Sequence, residues 1–195
     1  MKRPKNIFAI LLAAGSSKRF GSDKLLQVLS NNKTVAGTSA KNLKQVMPKV
    51  VAVIRPGDAR LENELRSFDI RVVVNQHAEN GMASSIVAGI MASSAADGWL
   101  IALADMPWVK PETMRALKEK LLQGESMVAP VCENRRGNPV GFSRQWKEEL
   151  LKLQGDHGAR DLLINSSETL YKYNTDDRGI LLDIDYPSDL YNKES

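Results

Sequence analysis

Continuous apolar runs, rich in β-branched residues, recur along this chain between longer segments of helical periodicity. Strands of that kind are buried on both faces, which is the habit of a sheet covered by helices, whereas a half-exposed sheet alternates apolar with polar. The candidate strands are Ile7–Leu12, Val50–Ile54, Val72–Asn75, Trp99–Leu103, Met127–Pro130, Pro139–Phe142 and Leu170–Tyr173. The candidate helices are Thr34–Val46, Asp58–Ser67, Met82–Ala92, Pro111–Leu122, Gln145–Leu151 and Ala159–Asn165. This β-α-β-α order predicts a three-layer α/β/α domain with a mostly parallel, doubly wound, Rossmann-like sheet. Ligands of such sheets sit beyond the carboxyl ends of the strands, so the segments that follow the strands are where chemistry is sought. No repeat or linker divides the 195 residues, which read as one domain, 1–195. The less regular stretch 131–170 is expected to form a lobe over the sheet's carboxyl edge.

Composition removes several function classes. A chain of 195 residues, 43% of them apolar, buries enough surface to hold a core without a disulfide or structural metal. Its single cysteine, Cys132, excludes an internal disulfide and a cysteine-based zinc cluster, and two histidines are too few for a His-rich metal site. The first apolar run stops at Ala14 and leads into Gly-Ser-Ser-Lys-Arg, too short for a membrane span. A cytoplasmic protein without a membrane partner is the expectation. Charge is uneven: residues 1–60 hold 12 Lys/Arg against 2 Asp/Glu, while 61–195 hold 15 against 21. A basic half calls for a polyanionic ligand. With 6% aromatic residues and no aromatic-basic interleaving, nucleic acid is not expected, and a phosphorylated small molecule is.

The loop after the first strand narrows the ligand. It reads Ala13-Ala14-Gly15-Ser16-Ser17-Lys18-Arg19-Phe20-Gly21-Ser22-Asp23-Lys24. Small residues let a ligand approach the backbone amides, Arg19 adds a forked phosphate donor and Lys24 a mobile point charge. Five residues separate Gly15 from Gly21, and Ser rather than Lys follows, so this is not a P-loop. Nor is it G-x-G-x-x-G, because alanines occupy the tight turn. Two readings stay open on composition: a polyphosphate cradle, or a strand-helix connection with solvated basic residues.

Leu12 to Lys24 resembles the L-A-A-G-x-S-x-R-M-G-x-x-K signature of the MobA/MocA-like nucleotidyltransferases, and among them the molybdenum cofactor cytidylyltransferases. The resemblance implies a nucleotide-diphospho-sugar transferase-like fold. It also implies nucleotide binding by Leu12, Ala13, Ala14, Gly15, Arg19 and Lys24. The Ala-Ala-Gly form is similar to that of CTP users, whereas GTP users usually carry two glycines there.

Further segments follow in register. Asn75 to Ile86 is similar to the family's N-x-x-W-x-x-G-M-x-x-S-[IL], without its Trp. It implies base and ribose contacts from Asn75, Gly81, Ser84 and Ser85, although helix capping accounts for such serines equally well. Asp105-Met106-Pro107 ends the buried strand Trp99–Leu103. A carboxylate there is either a turn or cap residue or a Mg²⁺ ligand, since Mg²⁺ suits few carboxylates and takes further oxygens from phosphates. The family's D-M-P resembles it and favours the metal. Asp183-Ile184-Asp185 alternates so that both carboxylates share a face. Its likeness to the family's D-I-D-T-P-x-D-L maps the second metal contact onto Asp185, with Asp183 the alternative and Asp189 read as capping. Arg135-Arg136-Gly137-Asn138-Pro139-Val140-Gly141-Phe142 resembles R-x-G-H-P-V-x-F, with Asn138 where His is usual. Gly158 and Arg160 resemble G-D-x-G-A-R. Both segments imply acceptor binding, with Arg136 and Arg160 on the phosphate of a molybdopterin-type acceptor.

The resemblance thus implies Mg²⁺-dependent transfer of CMP from CTP to molybdenum-molybdopterin with release of pyrophosphate. Arg19, Lys24 and Asp105 would be catalytic, and Asp105 and Asp185 would hold the metal. A molybdoenzyme is the implied downstream partner. Two alternatives remain at this stage. One is a guanylyltransferase or other NTP transferase with a different phosphorylated acceptor. The other is a non-catalytic cofactor chaperone.

Overall fold

The computed structural model of the chain describes residues 6–16, 20, 21 and 23–191. Eight strands form one sheet: β1 (Ile7–Ala13), β2 (Val50–Ile54), β3 (Arg71–Val74), β4 (Gly98–Leu103), β5 (Met127–Cys132), β6 (Arg135–Arg136), β7 (Val140–Ser143) and β8 (Leu170–Asn174). Their order is β3-β2-β1-β4-β7-β5-β6, with β8 on β5. The helices are α1 (Val35–Lys44), α2 (Ala59–Ser67), α3 (Met82–Ala92), α4 (Pro111–Gln123), α5 (Lys147–Leu151) and α6 (Arg160–Asn165).

The period of two along each buried strand builds the three layers. In β1, Ala9, Leu11 and Ala13 turn to one face, where they join Leu43 of α1, Leu61 of α2 and Leu117 of α4. Ile10 and Leu12 turn to the other and meet Ile86 and Ile90 of α3, Leu150 of α5 and Leu163 of α6. Both sets are buried, so the run reads as unbroken apolar sequence. Gly89 of α3 packs against Ile10, and a Cβ there would lie 2.6 Å from Ile10 Cγ2. Local signals agree with the helix ends. Thr34 Oγ1 accepts from Gly37 N at 2.9 Å at the start of α1, and α4 runs from Pro111 to a left-handed Gly124.

The sheet is mixed, with parallel pairs in the majority as expected. β1 is parallel to β2 and β4, β2 to β3, and β5 to β8, but β7 runs antiparallel to β4 and β5, and β6 antiparallel to β5. The reversal follows from a turn too short for a crossover. Glu133 and Asn134 both have positive φ (51° and 60°), the backbone of a two-residue hairpin, and they fold β6 straight back onto β5. Residues 131–170 thereby contribute β6 and β7 to the sheet and α5 and α6 to one face. The helix expected over Gln145–Leu151 is a 3-10 turn, Arg144–Trp146, continued by α5. The alternating segment around Asp183 and Asp185 pairs with no strand, because its backbone groups are engaged elsewhere. Ile184 N donates to Asp105 O (2.9 Å), and Asp185 N donates to Asp189 Oδ2 (3.0 Å). It forms a strap across the end of β4. Among the described residues no helix is long and apolar enough to cross a membrane.

The strand order reverses beside β1, since β2 lies on one side of it and β4 on the other. That switch point is where open α/β sheets take ligands.

Candidate active site

Beyond the carboxyl ends of β1 and β4 lies a cavity of 730 Å³. Its wall begins with Leu12, Ala13, Ala14, Gly15 and Ser16, and a Cβ on Gly15 would meet nothing within 4 Å. The backbone here therefore faces open space that a ligand can fill. Phe20, Lys24, Arg55, Gly81, Ser85, Asp105, Asp156 and Asp185 also line it. Arg19 lies outside the described residues.

Lys24 is the electrostatic centre. It is held at the start of a 3-10 turn, Lys24–Leu26, and is 8% exposed. Its Nζ donates to Asp105 Oδ2 at 2.8 Å and to Asp185 Oδ1 at 3.1 Å. Burial alone would lower its pKa, but the carboxylate of Asp105, followed by Asp185, outweighs that and raises it. Asp183 joins the group: one carboxylate oxygen each from Asp105, Asp183 and Asp185 lies within 4.8 Å of the others. Desolvation, then the charge of Asp105, pushes the Asp183 pKa up. Three convergent carboxylates are an all-oxygen set that suits a hard divalent cation, and both acidic readings of the strap, Asp183 and Asp185, reach it.

The segment after β3 divides into lining and supporting residues. Gly81 and Ser85 face the cavity. Asn75, 5% exposed, instead donates from Nδ2 to Ser84 Oγ (2.8 Å) and Ser85 Oγ (3.0 Å), while its Oδ1 accepts from His77 N (3.0 Å). Ser84 Oγ donates to the carbonyls of His77 and Gly81, both at 2.8 Å. Asn75 and Ser84 thus hold the turn that presents Gly81, and His77 joins it through its backbone. Gly81 has φ +92°, and a Cβ on it would lie 2.3 Å from Asp156 Oδ1 and 2.6 Å from the Gly155 carbonyl. Glycine is required there both by conformation and by the close approach of segment 155–156.

A second cavity, 190 Å³, shares Leu12, Met82 and Leu103 with the first. Arg136, Gly137, Asn138 and Arg160 line it together with His157. Desolvation, then the neighbouring Arg160, lowers the Arg136 pKa, as expected of two guanidiniums crowding one opening. Gly158, with φ +55°, packs on Met82 at the shared wall. Pro139 does not line this cavity; it follows a cis peptide bond after Asn138.

Three relevant residues, Arg55, Asp156 and Asp177, escaped the sequence reading, and a fourth, Asp189, was read as a cap only. Arg55 follows β2 and Asp156 faces the first cavity although its motif reads as acceptor-side. The rule that ligands lie after strands points to Arg55. Asp189 Oδ2 accepts from Asp185 N (3.0 Å) and Tyr186 N (2.7 Å), which makes its capping role a positioning one. Asp177, 1% exposed, ties the strap's origin to α4 through Lys110 N, Thr113 Oγ1 and Gly179 N.

Comparison with known proteins places this geometry. The family model described as "MobA-like NTP transferase domain" matches residues 9–170. The chain is 30% identical over 200 residues to the purine catabolism protein PucB of Bacillus subtilis, covering 96% of this chain and 95% of that protein. It is 26% identical over 151 residues to a probable molybdenum cofactor guanylyltransferase of Methanosarcina mazei, covering 74% of this chain and 66% of that protein. It spans about a third of the length of the bifunctional GlmU protein of Zymomonas mobilis, which it also matches. Among solved structures, Rv0371c of Mycobacterium tuberculosis superposes with a TM-score of 0.83 at 25% identity, covering 96% of each chain. A manganese complex of Rv0371c is also known, matching with a TM-score of 0.80 at 22% identity over 95% of this chain and 96% of that one.

Proposed function

Since the chain belongs to the MobA-like NTP transferase family and is a nucleotidyltransferase, we propose that it transfers CMP from CTP to molybdenum-molybdopterin and releases pyrophosphate. The observation that carries the reading is convergence. Lys24, Asp105 and Asp185 come from three distant parts of the chain and meet in one cavity beside the small-residue turn at Ala13–Gly15. A second cavity with two guanidiniums shares its wall. One cavity takes the triphosphate and the other the acceptor phosphate. The oxygen of that phosphate attacks the α-phosphorus across Leu12, Met82 and Leu103, and the bond to the β-phosphate breaks.

The attacking oxygen is already anionic near neutral pH, so no protein nucleophile is needed, and positioning with charge neutralisation lowers the barrier. Asp105 and Asp185, with Asp183 beside them, would hold Mg²⁺. That ion, when bound, offsets phosphate charge and orients the triphosphate. Lys24, Arg19 and Arg55 neutralise the departing pyrophosphate, and backbone amides of the Ala13–Gly15 turn bind its oxygens. Arg136 and Arg160 hold the acceptor. The Ala-Ala-Gly turn supports CTP. The molybdopterin acceptor rests on the motif resemblance and on the guanylyltransferase relative.

The nucleotide is tested by thermal shift with CTP, GTP, ATP and UTP in turn, each with Mg²⁺. CTP is expected to raise the melting temperature most, and a larger rise with GTP overturns the cytidine assignment in favour of guanylyl transfer. The acceptor side is tested by steady-state kinetics. Arg136→Ala and Arg160→Ala are each expected to raise the acceptor KM about tenfold or more, since a charge-assisted bond contributes ~1.5–3 kcal/mol. The KM for CTP should stay near wild type, and an unchanged acceptor KM in both variants refutes the assignment of the second cavity.

A further inference from the structure

We infer that Lys24 is a built-in counter-cation of the carboxylate cluster, which keeps the divalent ion out until a triphosphate draws the ammonium away. This rests on the proposed function, because the triphosphate is what releases Lys24. The ammonium touches one oxygen of Asp105 at 2.8 Å and one of Asp185 at 3.1 Å. These carboxylates, with Asp183, are the ones that converge within 4.8 Å as candidate ligands. A divalent ion of the Mg²⁺ class sits about 2.0–2.1 Å from its oxygens. Such an ion on Asp105 and Asp185 would place its charge against an ammonium bound to the same groups. The Lys24 side chain is 10% exposed, so little water screens that repulsion.

The geometry also provides the release. Lys24 borders the same cavity as the Ala13–Gly15 turn, and its stem is a flexible chain of methylenes. Phosphate oxygens arriving beside that turn give the ammonium anionic partners other than the two aspartates. Once it moves to them, the cluster loses that positive charge and takes the divalent ion. Ion and triphosphate therefore bind with strong mutual reinforcement, and the free protein does not load metal alone. Reciprocity requires the ion to strengthen triphosphate binding by the same factor.

The test is Mn²⁺ binding, followed by electron paramagnetic resonance of the free ion, with and without a CTP analogue that cannot release pyrophosphate. In the wild type the analogue is expected to tighten Mn²⁺ at least tenfold beyond the affinity of the analogue alone for Mn²⁺. Without the analogue, Lys24→Met is expected to bind Mn²⁺ at least tenfold more tightly than wild type. Lys24→Arg, which keeps the charge, should stay close to wild type. Unchanged or weaker Mn²⁺ binding by Lys24→Met overturns the inference. So does a wild type that binds Mn²⁺ equally well with and without the analogue, which is decisive whether or not the variant folds. Failure of the proposed function reads differently: Mn²⁺ then binds no form of the protein, or the analogue binds none.

Discussion

Pyrophosphate release by Asp105→Ala is expected to fall at least a hundredfold while the protein melts at or slightly above the wild-type temperature. The two halves of this result come from one feature of the cavity. Asp105 sits at the end of β4, with its backbone carbonyl fixed by Ile184 N and its carboxylate on Lys24 at 2.8 Å. In the loaded site it would hold the divalent ion that offsets phosphate charge, and losing one such contact typically costs 10²–10³ in rate, or ~3–4 kcal/mol. It stands among like charges, and its charge adds to desolvation in raising the Asp183 pKa. Removing it relieves that repulsion, and Lys24 keeps its existing bond to Asp185 at 3.1 Å. Asp105→Asn keeps the shape and removes the charge, so its rate should fall nearly as far. Turnover within tenfold of wild type in both variants, measured by coupled pyrophosphate assay, would remove Asp105 from the reaction. A large drop in melting temperature would show that the residue is structural instead.

The legibility of this site in the sequence followed how local each feature is. β1, β2 and β4 were visible as unbroken apolar runs, since both faces are buried and period-two alternation disappears. Asp105 stood out because a carboxylate directly after such a strand is conspicuous. The antiparallel course of β7 was not legible. It depends on left-handed backbone at Glu133 and Asn134, and Glu has no strong preference for that conformation. The strap misled in the opposite sense. Asp183 and Asp185 do approach a common point, yet through hydrogen bonds to Asp105 and Asp189 and not through a ladder. Asn75 and Ser84 are implied as ligand contacts by the motif resemblance. Their hydrogen-bonding groups are spent on the turn that presents Gly81, and no local pattern separates the two uses. The roles of Asp156 and Asp177 depend on partners more than sixty residues away and left no local trace.

Asp177 carries the second large effect, this one on stability. Its Oδ2 accepts from Lys110 N (2.9 Å) and Thr113 Oγ1 (2.6 Å) in the first turn of α4, and its Oδ1 accepts from Gly179 N (3.0 Å). One buried side chain thus satisfies helix-end donors and starts the strap that carries Asp183 and Asp185 back over Asp105. Gly179 lies so close to Trp108 that a Cβ would be 2.1 Å from its carbonyl oxygen, so the strap has no slack to find other partners. Asp177→Ala strands two backbone N–H groups and a hydroxyl, of which only the hydroxyl can turn elsewhere. The cost is about 3 kcal/mol. For a chain of this size that is a fall of about 6–12 °C in melting temperature. Asp177→Asn retains an acceptor for one side of the junction and should lie between Ala and wild type. Thr113→Val removes a single donor and should cost least. Calorimetry that finds Asp177→Ala within about 2 °C of wild type would mean that water replaces the carboxylate at this junction, and the strap's hold on Asp105 would then rest on the Ile184 backbone bond and on Lys24, which bridges Asp105 and Asp185.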